Sequence, residues 1–329
     1  MAPSERVLTR WFDEHRAFLW GLSYRITGST ADADDVLQET FLRAWQHAPE
    51  QLDNARRWLM RVAVNASRDV LRRRKRRHYI GPWLPEPIDT SSDVPPSYEP
   101  VVEGQTLEGR YDLMESASLA FLQALEGLTA TQRAVLLLCD VFDYSAGEVG
   151  AVLDVSEDNV RQIHRRARRA MESYEPHRTL PTATNRARTE HALERFLALL
   201  ADGDVAGIEH MLTADVKATT DGGGEFTAAL TPIVGAAAVA RLFGRLAASR
   251  DGGVTVAIRS INLFPAAVLD FEASPGRRPH RIALSVDVDA NGLIAAVRVM
   301  ASSQKLASLD RGDGDRLTGL QAVVAPLPD

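Results

Sequence analysis

The stretch SAGEVGAVLDVSEDNVRQIHRRARRAM, Ser145 to Met171, decides how the rest of the chain is read. Val149, Val152 and Leu153 predict a short amphipathic helix, followed by a tight turn at Asp154 and Val155. Ser156 is a suitable N-cap for a second helix beginning at Glu157. In that helix Val160, Ile163, Ala167 and Met171 fall at i, i+3, i+7 and i+11, which makes one buried stripe. Asn159, Arg161, Gln162, Arg165, Arg166, Arg168 and Arg169 lie around the remainder. This is the layout of a helix-turn-helix, in which the second helix presents polar side chains to base edges. Arginine can grip phosphates or pair bidentately with guanine. The bland alternative is a solvated amphipathic helix. Against it, five arginines within residues 161–169 repel one another unless an anion is present.

The charge map supports the same reading. The chain has 329 residues and a net charge of −6, an average that argues against nucleic acid. The distribution reverses that inference. Residues 1–55 carry 5 basic and 9 acidic side chains, residues 56–80 carry 10 and 1, and residues 81–130 carry 1 and 9. Two focused positive patches on an acidic chain are what contact with DNA requires. Residues 179–300 are nearly balanced, 12 against 13. One cysteine, Cys139, excludes an intramolecular disulfide and a cysteine-cluster metal site, and fits a reducing cytosol. The charged N-terminus is no signal peptide, and no apolar run approaches the roughly 18 residues of a membrane span. A cytoplasmic protein without membrane contact is expected.

Residues 5–78 read as helices. Phe18, Leu22, Tyr24 and Ile26 form one apolar set; Val36, Leu37, Thr40, Phe41, Ala44 and Trp45 form a second. Asp32 to Asp35 fall where acids favour the positive end of a helix dipole. HAPEQLDN (47–54) breaks the pattern, and Asp53 or Asn54 can cap the next helix. That helix places Trp58, Leu59, Val62, Ala63, Ala66, Val70 and Leu71 at helical spacing, and to Arg77 it would be about 36 Å long. Arg56, Arg57, Arg61, Asn65 and Arg68, with Trp58 and the basic run Arg72–Arg77, suit melted DNA, whose unstacked bases meet aromatic and polar groups. Trp58 reads more simply as core, and Arg72–Arg77 as a solvated helix end; neither explains so basic a segment between two acidic ones.

The prolines between Pro82 and Pro100 and the missing periodicity mark residues 79–112 as a linker. Residues 113–178 return to helices, and residues 179–186 form a short second linker. Residues 187–300 begin with two helices. VKATTDGGGEF (216–226) then reads as a strand, a glycine turn and the start of another strand. A helix at 234–248 and strands at 254–263, 266–273, 281–289 and 293–300 follow, the last two joined at Asn291–Gly292. The expectation is an α+β domain with a curved antiparallel sheet. Residues 301–329 read as a polar tail.

DADDVLQETFLRAW (Asp32–Trp45) and WLMRVAVNASRDVLRRRKR (Trp58–Arg76) together resemble domain 2 of an extracytoplasmic-function (ECF) sigma factor, and Leu128–Met171 resembles its domain 4. The resemblance implies that Asp34, Asp35, Gln38, Glu39, Phe41 and Arg43 dock on RNA polymerase core. There the β′ clamp and the β flap receive the factor. It implies that Asn54, Arg56, Arg57, Trp58, Arg61, Asn65, Arg68, Arg72 and Arg73 melt and capture the −10 promoter element. Ser156, Asn159, Arg161, Gln162, Arg165, Arg166, Arg168 and Arg169 would read the −35 element. Such factors do no covalent chemistry, so no catalytic residue, cofactor or metal is expected.

Residues 187–300 are similar to a SnoaL-like (nuclear transport factor 2-like) cone. WLPEP (Trp83–Pro87), NVRQ (Asn159–Gln162) and DGGG (Asp221–Gly224) match the ECF subgroup that carries such a domain. The implied regulatory contacts are Trp83, Leu84, Pro85, Asp221, Gly222, Lys305 and Leu306, made intramolecularly between the C-terminal domain, the linker and the sigma domains; a small-molecule ligand in the cone is a further expectation. The subgroup's Asn-Pro-Asp-Lys-Leu motif reads SSQKL (302–306) here, which puts the tail's usual contact in doubt. Two rivals remain at this stage: a polymerase-independent DNA-binding regulator, and a SnoaL-like enzyme fused to a DNA-binding module. For the enzyme, Asp221, Asp270, Asp287, His210 and His280 offer suitable types without a defensible acid/base pairing.

Overall fold

The computed structural model describes residues 3–49, 54–76, 79–91, 113–248, 252–272 and 276–309. The described residues fall into two compact bodies, those within 3–76 and 113–178 in one and those within 79–91 and 179–309 in the other.

The first body is helical. α1 (Glu5–Thr27), α2 (Thr30–His47) and α3 (Ala55–Arg76) pack against one another. α1 stops at Gly28, whose φ of 67° takes the left-handed cap favoured by glycine. Ser29 caps α2, accepting from Asp32 N at 3.1 Å. Asn54 caps α3, accepting from Arg57 N at 2.8 Å. Phe18, Leu22, Tyr24 and Ile26 are buried as their spacing predicts. Trp45 is not: at 60% exposure it stands off the core to which its spacing had assigned it. The apolar stripe of α2 closes at Ala44, and Trp45 lies one residue, about 100°, past it.

The other helices of this body are α4 (Leu119–Leu125), α5 (Ala130–Asp140), α6 (Ala146–Leu153) and α7 (Glu157–Ala170). Capping boxes at Thr129 with Gln132 and at Ser145 with Glu148 start α5 and α6. Ser156 caps α7, as its sequence position predicts. The turn between α6 and α7 holds Asp154 at φ 59°, ψ 48°. Buried Arg25 ties the two helix groups: its Nε donates to Ser116 Oγ at 2.7 Å and its Nη2 to Leu113 O at 3.2 Å. Arg133 Nη1 donates to Ile26 O at 2.7 Å, and Phe18 meets Phe142 edge-on at 5.2 Å.

The second body begins with α8 (Ala183–Asp202) and α9 (Val205–His210). Then follow β1 (Leu212–Asp221), β2 (Ile233–Val234), α10 (Ala236–Ala248), β3 (Val254–Ile261), β4 (Phe264–Phe271), β5 (Arg281–Val288) and β6 (Ile294–Met300). The sheet order is β2-β1-β6-β5-β4-β3. It is mixed, not purely antiparallel as expected, because β1 runs parallel to β6. The segment between β1 and β6 carries α10 and four further strands, ample length for a parallel return.

Helices cover one sheet face. Leu193, Phe196, Val239 and Phe243 meet Val216, Val286, Val297 and Leu284 in one core. Residues 79–91 join this body at the end of β1 and at the β3–β4 turn, and the described chain ends with α11 (Ser303–Leu306) and buried Leu306 and Leu309. The β3–β4 turn explains part of this. Asn262 and Leu263 both have positive φ, 49° and 72°, unusual for a leucine. Linker hydrogen bonds hold them: Asn262 N to Ile88 O at 2.8 Å, Ile88 N to Asn262 Oδ1 at 2.9 Å, and Leu263 N to Thr90 Oγ1 at 3.0 Å.

Phe196 is fully buried between α10 and the sheet, edge-on to Phe243. Phe196→Ala is expected to cost about 3–5 kcal/mol, read from the urea transition of the second body with the first body's transition unmoved.

Candidate functional site

On α3, residues Arg57, Arg61, Asn65, Arg68 and Arg72 follow i, i+4, i+8, i+11 and i+15, a single stripe opposite the buried Leu59, Ala63, Ala66 and Val70. Arg57, Arg61, Arg72 and Arg73 are exposed; Trp58, Asn65 and Arg68 are half-buried. Arg68 donates to Asn65 Oδ1 at 3.1 Å, while its Nε is buried with no partner among the described residues. Burial first, then repulsion from Arg72, lowers the Arg68 pKa. An incoming phosphate would relieve both the orphan donor and the repulsion. Arg72 is shared with Asp69 at 2.9 Å, and Arg74 turns inward to Asp32 Oδ2 and Thr27 O, both at 2.7 Å. The side chain of Asn54 is occupied as the α3 cap. Arg56 also turns inward, over the Phe18 ring at 4.3 Å.

On α2 the structure divides the expected set. Asp35, Gln38 and Arg43 are exposed, the last paired with Glu39 at 2.6 Å. Asp34 accepts from Trp20 Nε1 at 2.7 Å, and Phe41 packs edge-on to Phe12 at 5.0 Å. Sequence reasoning missed Leu42 and Trp45, 46% and 60% exposed, which continue the Asp35–Gln38 stripe at i+7 and i+10. Their i+4 and i+7 relation to Gln38 was readable; their exposure was not.

On α7, Ser156, Asn159, Gln162, Arg165, Arg166 and Arg169 are exposed, and Val160 and Ala167 face inward. Arg161 is held by Glu157 and, at 3.2 Å, by Asp158. Among the described residues Arg165, Arg166 and Arg169 form no ion pair. Arg168 does: its Nε lies 3.0 Å from Oδ2 of buried Asp140 on α5, and its Nη2 donates to Oδ1. His164 Nε2 approaches Asp140 Oδ2 to 2.9 Å. Arg168 thus orients α7 on α5. Burial pushes the Asp140 pKa up, but the contacts with His164 and Arg168 outweigh it and leave it lowered. Burial and the Asp140 charge push the neighbouring Cys139 thiol up to about 12, so it stays protonated at neutral pH.

The second body holds the linker through one buried carboxylate. Asp221, at the end of β1, accepts from Tyr79 Oη at 2.5 Å, Leu84 N at 2.8 Å, Gly223 N at 3.0 Å and Lys305 Nζ at 2.7 Å. Lys305 Nζ also donates to Leu84 O at 2.6 Å and lies over the Trp83 ring at 3.8 Å. Leu84, Pro85, Glu86 and Leu306 are buried around it. The glycines of DGGG serve the same joint. A Cβ on Gly222 would stand 2.6 Å from Phe226 O, and one on Gly223 2.5 Å from Ser302 Oγ, where φ is already +62°. The sequence departure at SSQKL does not abolish the contact, because Lys305 and Leu306 are the side chains that make it.

Known proteins align with this arrangement. The family description "Sigma-70 region 2" matches residues 11–77 and "Sigma-70, region 4" matches residues 118–171. ECF RNA polymerase sigma factor SigJ of Mycobacterium tuberculosis is 32% identical over 232 residues, covering 70% of each chain. SigG of the same organism is 30% identical over 226 residues, 62% of this chain and 58% of that protein. The crystal structure of the M. tuberculosis SigJ has a similar fold, with a TM-score of 0.65 at 24% identity over 91% of this chain and 98% of that one. The chain belongs to the ECF RNA polymerase sigma factors. It directs RNA polymerase to promoters and is not an enzyme; its helical sigma domains are followed by an α+β domain with a mixed six-stranded sheet. Among the described residues no helix is long and apolar enough to cross a membrane.

Two outcomes follow from the buried charges. Asp140, its pKa lowered in the fold, stabilises above the ordinary carboxylate pKa and loses that contribution as pH falls through its folded value. Asp140→Asn is therefore expected to cost about 1–3 kcal/mol in urea unfolding at neutral pH and less in acid; an equal loss at both would contradict the pairing. Asp221→Asn, which strands buried Lys305, is expected to cost the second body about 3–5 kcal/mol, while Asp221→Leu combined with Lys305→Met costs less.

Proposed function

We propose that α2 engages RNA polymerase core through Asp35, Gln38, Arg43, Leu42 and Trp45. The α3 stripe takes the melted −10 element, and α7 takes the −35 element through Asn159, Gln162, Arg165, Arg166 and Arg169. The C-terminal domain regulates the factor by holding the linker. The observation that carries the regulatory reading is the Asp221–Lys305 joint, which fixes Tyr79 and Leu84 of the chain connecting the two DNA-reading domains. A connector bolted to a third domain cannot move independently of it. A bound small molecule is a weaker reading, because Phe196, Phe243, Val239 and Leu193 occupy the space between helices and sheet.

Reconstituted transcription with core polymerase tests this. Lys305→Met in the full chain is expected to change promoter-specific initiation several-fold, in the same direction as removal of residues 179–329. Initiation equal to that of the unaltered chain in both variants would overturn the regulatory reading. For the DNA grip, Arg165→Ala and Arg166→Ala are each expected to lower the slope of log affinity against log salt by about one. A slope that stays put would exclude phosphate contact at these positions.

A further inference from the structure

The two edges of the sheet differ in kind. β2 closes one edge with only two residues, a length that leaves little to pair with. β3 closes the other with eight. Its register with β4 is unbroken from Val254↔Phe271 to Ile261↔Phe264, and the two-residue turn at Asn262–Leu263 makes the last a hydrogen-bonded pair. Such pairs alternate, so residues 255, 257, 259 and 261 spend their backbone groups on β4, while Val254, Val256, Ile258 and Ser260 turn theirs outward. The linker takes the last of these: Thr90 N donates to Ser260 O at 2.7 Å, and Ser260 N donates to Ser91 Oγ at 2.9 Å. On Val254, Val256 and Ile258 the outward N–H and C=O have no backbone partner among the described residues. The same three side chains are 50%, 45% and 38% exposed and share the helix-covered face with Leu269 and Ala267, while α8 packs further in, over β4 and β5. GGVTVAI (252–258) holds no charge, no proline and no bulge, the usual protections of an edge. Arg259, the next residue, belongs to the other face and pairs with Asp89 Oδ2 at 3.4 Å.

We propose that this edge is a self-association site, to which β3 of a second copy of the chain adds antiparallel about a twofold axis at Val256. The pattern is self-complementary. Val256 faces Val256 of the partner subunit, and Val254 faces Ile258 of the partner subunit. Every one of these is a hydrogen-bonded pair, so the three outward N–H and three outward C=O groups of each copy are all met. The three apolar side chains become cross-strand pairs on one face, and no charge meets a like charge, the main cost of pairing a strand with its own copy. The pairing is bounded at both ends. Gly252, at φ 96°, bends the chain before Val254, and the linker holds the edge from Ser260 onward. So short an edge buries less than the roughly 1,200 Å² of a stable interface, which makes the dimer weak and dependent on concentration.

Sedimentation velocity of the full-length chain between about 2 and about 200 µM tests this, the range in which a small interface assembles. The unaltered chain is expected to pass from monomer toward dimer. Val256→Lys sets two ammonium groups face to face at the axis and is expected to raise the dimer Kd about tenfold or more. Val254→Lys with Ile258→Glu sets an ammonium opposite a carboxylate at both outer pairs, so the dimer persists and becomes salt-sensitive. Val254→Lys with Ile258→Lys abolishes it. These positions are exposed, so the urea transition of the second body stays in place and separates lost association from lost folding. A chain that remains monomeric at the highest concentration overturns the proposal, as does Val256→Lys associating like the unaltered chain. Equal behaviour of the two double variants excludes the twofold register. Amide exchange at Val254, Val256 and Ile258 that is equally slow at both concentrations means that something other than a second copy covers the edge, and the proposal falls.

Discussion

A charge taken out of water has to be met by partners on every side, and in the second body that requirement converges on Asp221. Its two oxygens receive a phenol, two backbone amides and an ammonium. Three of those four donors lie far away in sequence, on the linker and beyond the last strand. Satisfying one carboxylate therefore brings residues 79–91, the end of β1 and α11 to one place. The bare glycines beside it are the steric side of the same requirement, since Phe226 O and Ser302 approach too closely for side chains. A buried ion pair of this kind contributes little net stability compared with apolar packing, but it specifies what must be present. That property suits a joint between a regulator and the segment it controls.

The first body obeys the same rule with opposite consequences at its surface. Inside, each buried charge is met. Arg25 has Ser116 and Leu113 O, Asp140 has Arg168, and Glu115 has Tyr174 Oη at 2.8 Å and Arg178 Nη2 at 2.7 Å. Outside, Arg165, Arg166 and Arg169 on α7 and Arg73, Lys75 and Arg76 on α3 form no ion pair among the described residues. The difference sorts the arginines by role. Arg168, one step around the helix from Arg165 and Arg169, orients α7; its neighbours are left to an external anion.

The fold was legible wherever a local rule dominates. The helix-turn-helix followed from a cap, a turn and one apolar stripe, and the hairpin before β6 from Asn291–Gly292. What escaped was decided by distant partners. Trp45 has the spacing of a core residue, yet nothing on α1 or α3 covers it fully. Asn262–Leu263 carries no glycine to mark a turn, because the linker supplies hydrogen bonds that hold it. The parallel β1–β6 pair is a choice of topology on which side-chain alternation is silent. Among site residues, the stripe of α3 was visible as periodicity. The engagement of Arg56, Arg74 and Arg168 with other helices was not, since a sequence does not distinguish an arginine aimed at DNA from one aimed at a carboxylate.

The SSQKL segment divides into backbone contacts and two side chains that reach the Asp221 joint. Of its first three residues, Ser302 and Ser303 have modest contacts. Ser302 sits against Gly223 and accepts from Leu306 N at 3.0 Å through its carbonyl, while Ser303 N donates to Glu225 at 3.2 Å. These are backbone turns and short polar contacts that several residue types can make. Lys305 is different in kind. It must span from α11 to a buried carboxylate, donate to Leu84 O and lay its cation over Trp83, a combination that needs a long, flexible ammonium. Leu306, the next residue, is buried. The partners of Lys305, Asp221 and Trp83, are themselves buried and half-buried, and Lys305 supplies the cation that meets both. Trp83 and the prolines beside it, Pro82, Pro85 and Pro87, costly in a passive tether, are half-buried or buried on the second body.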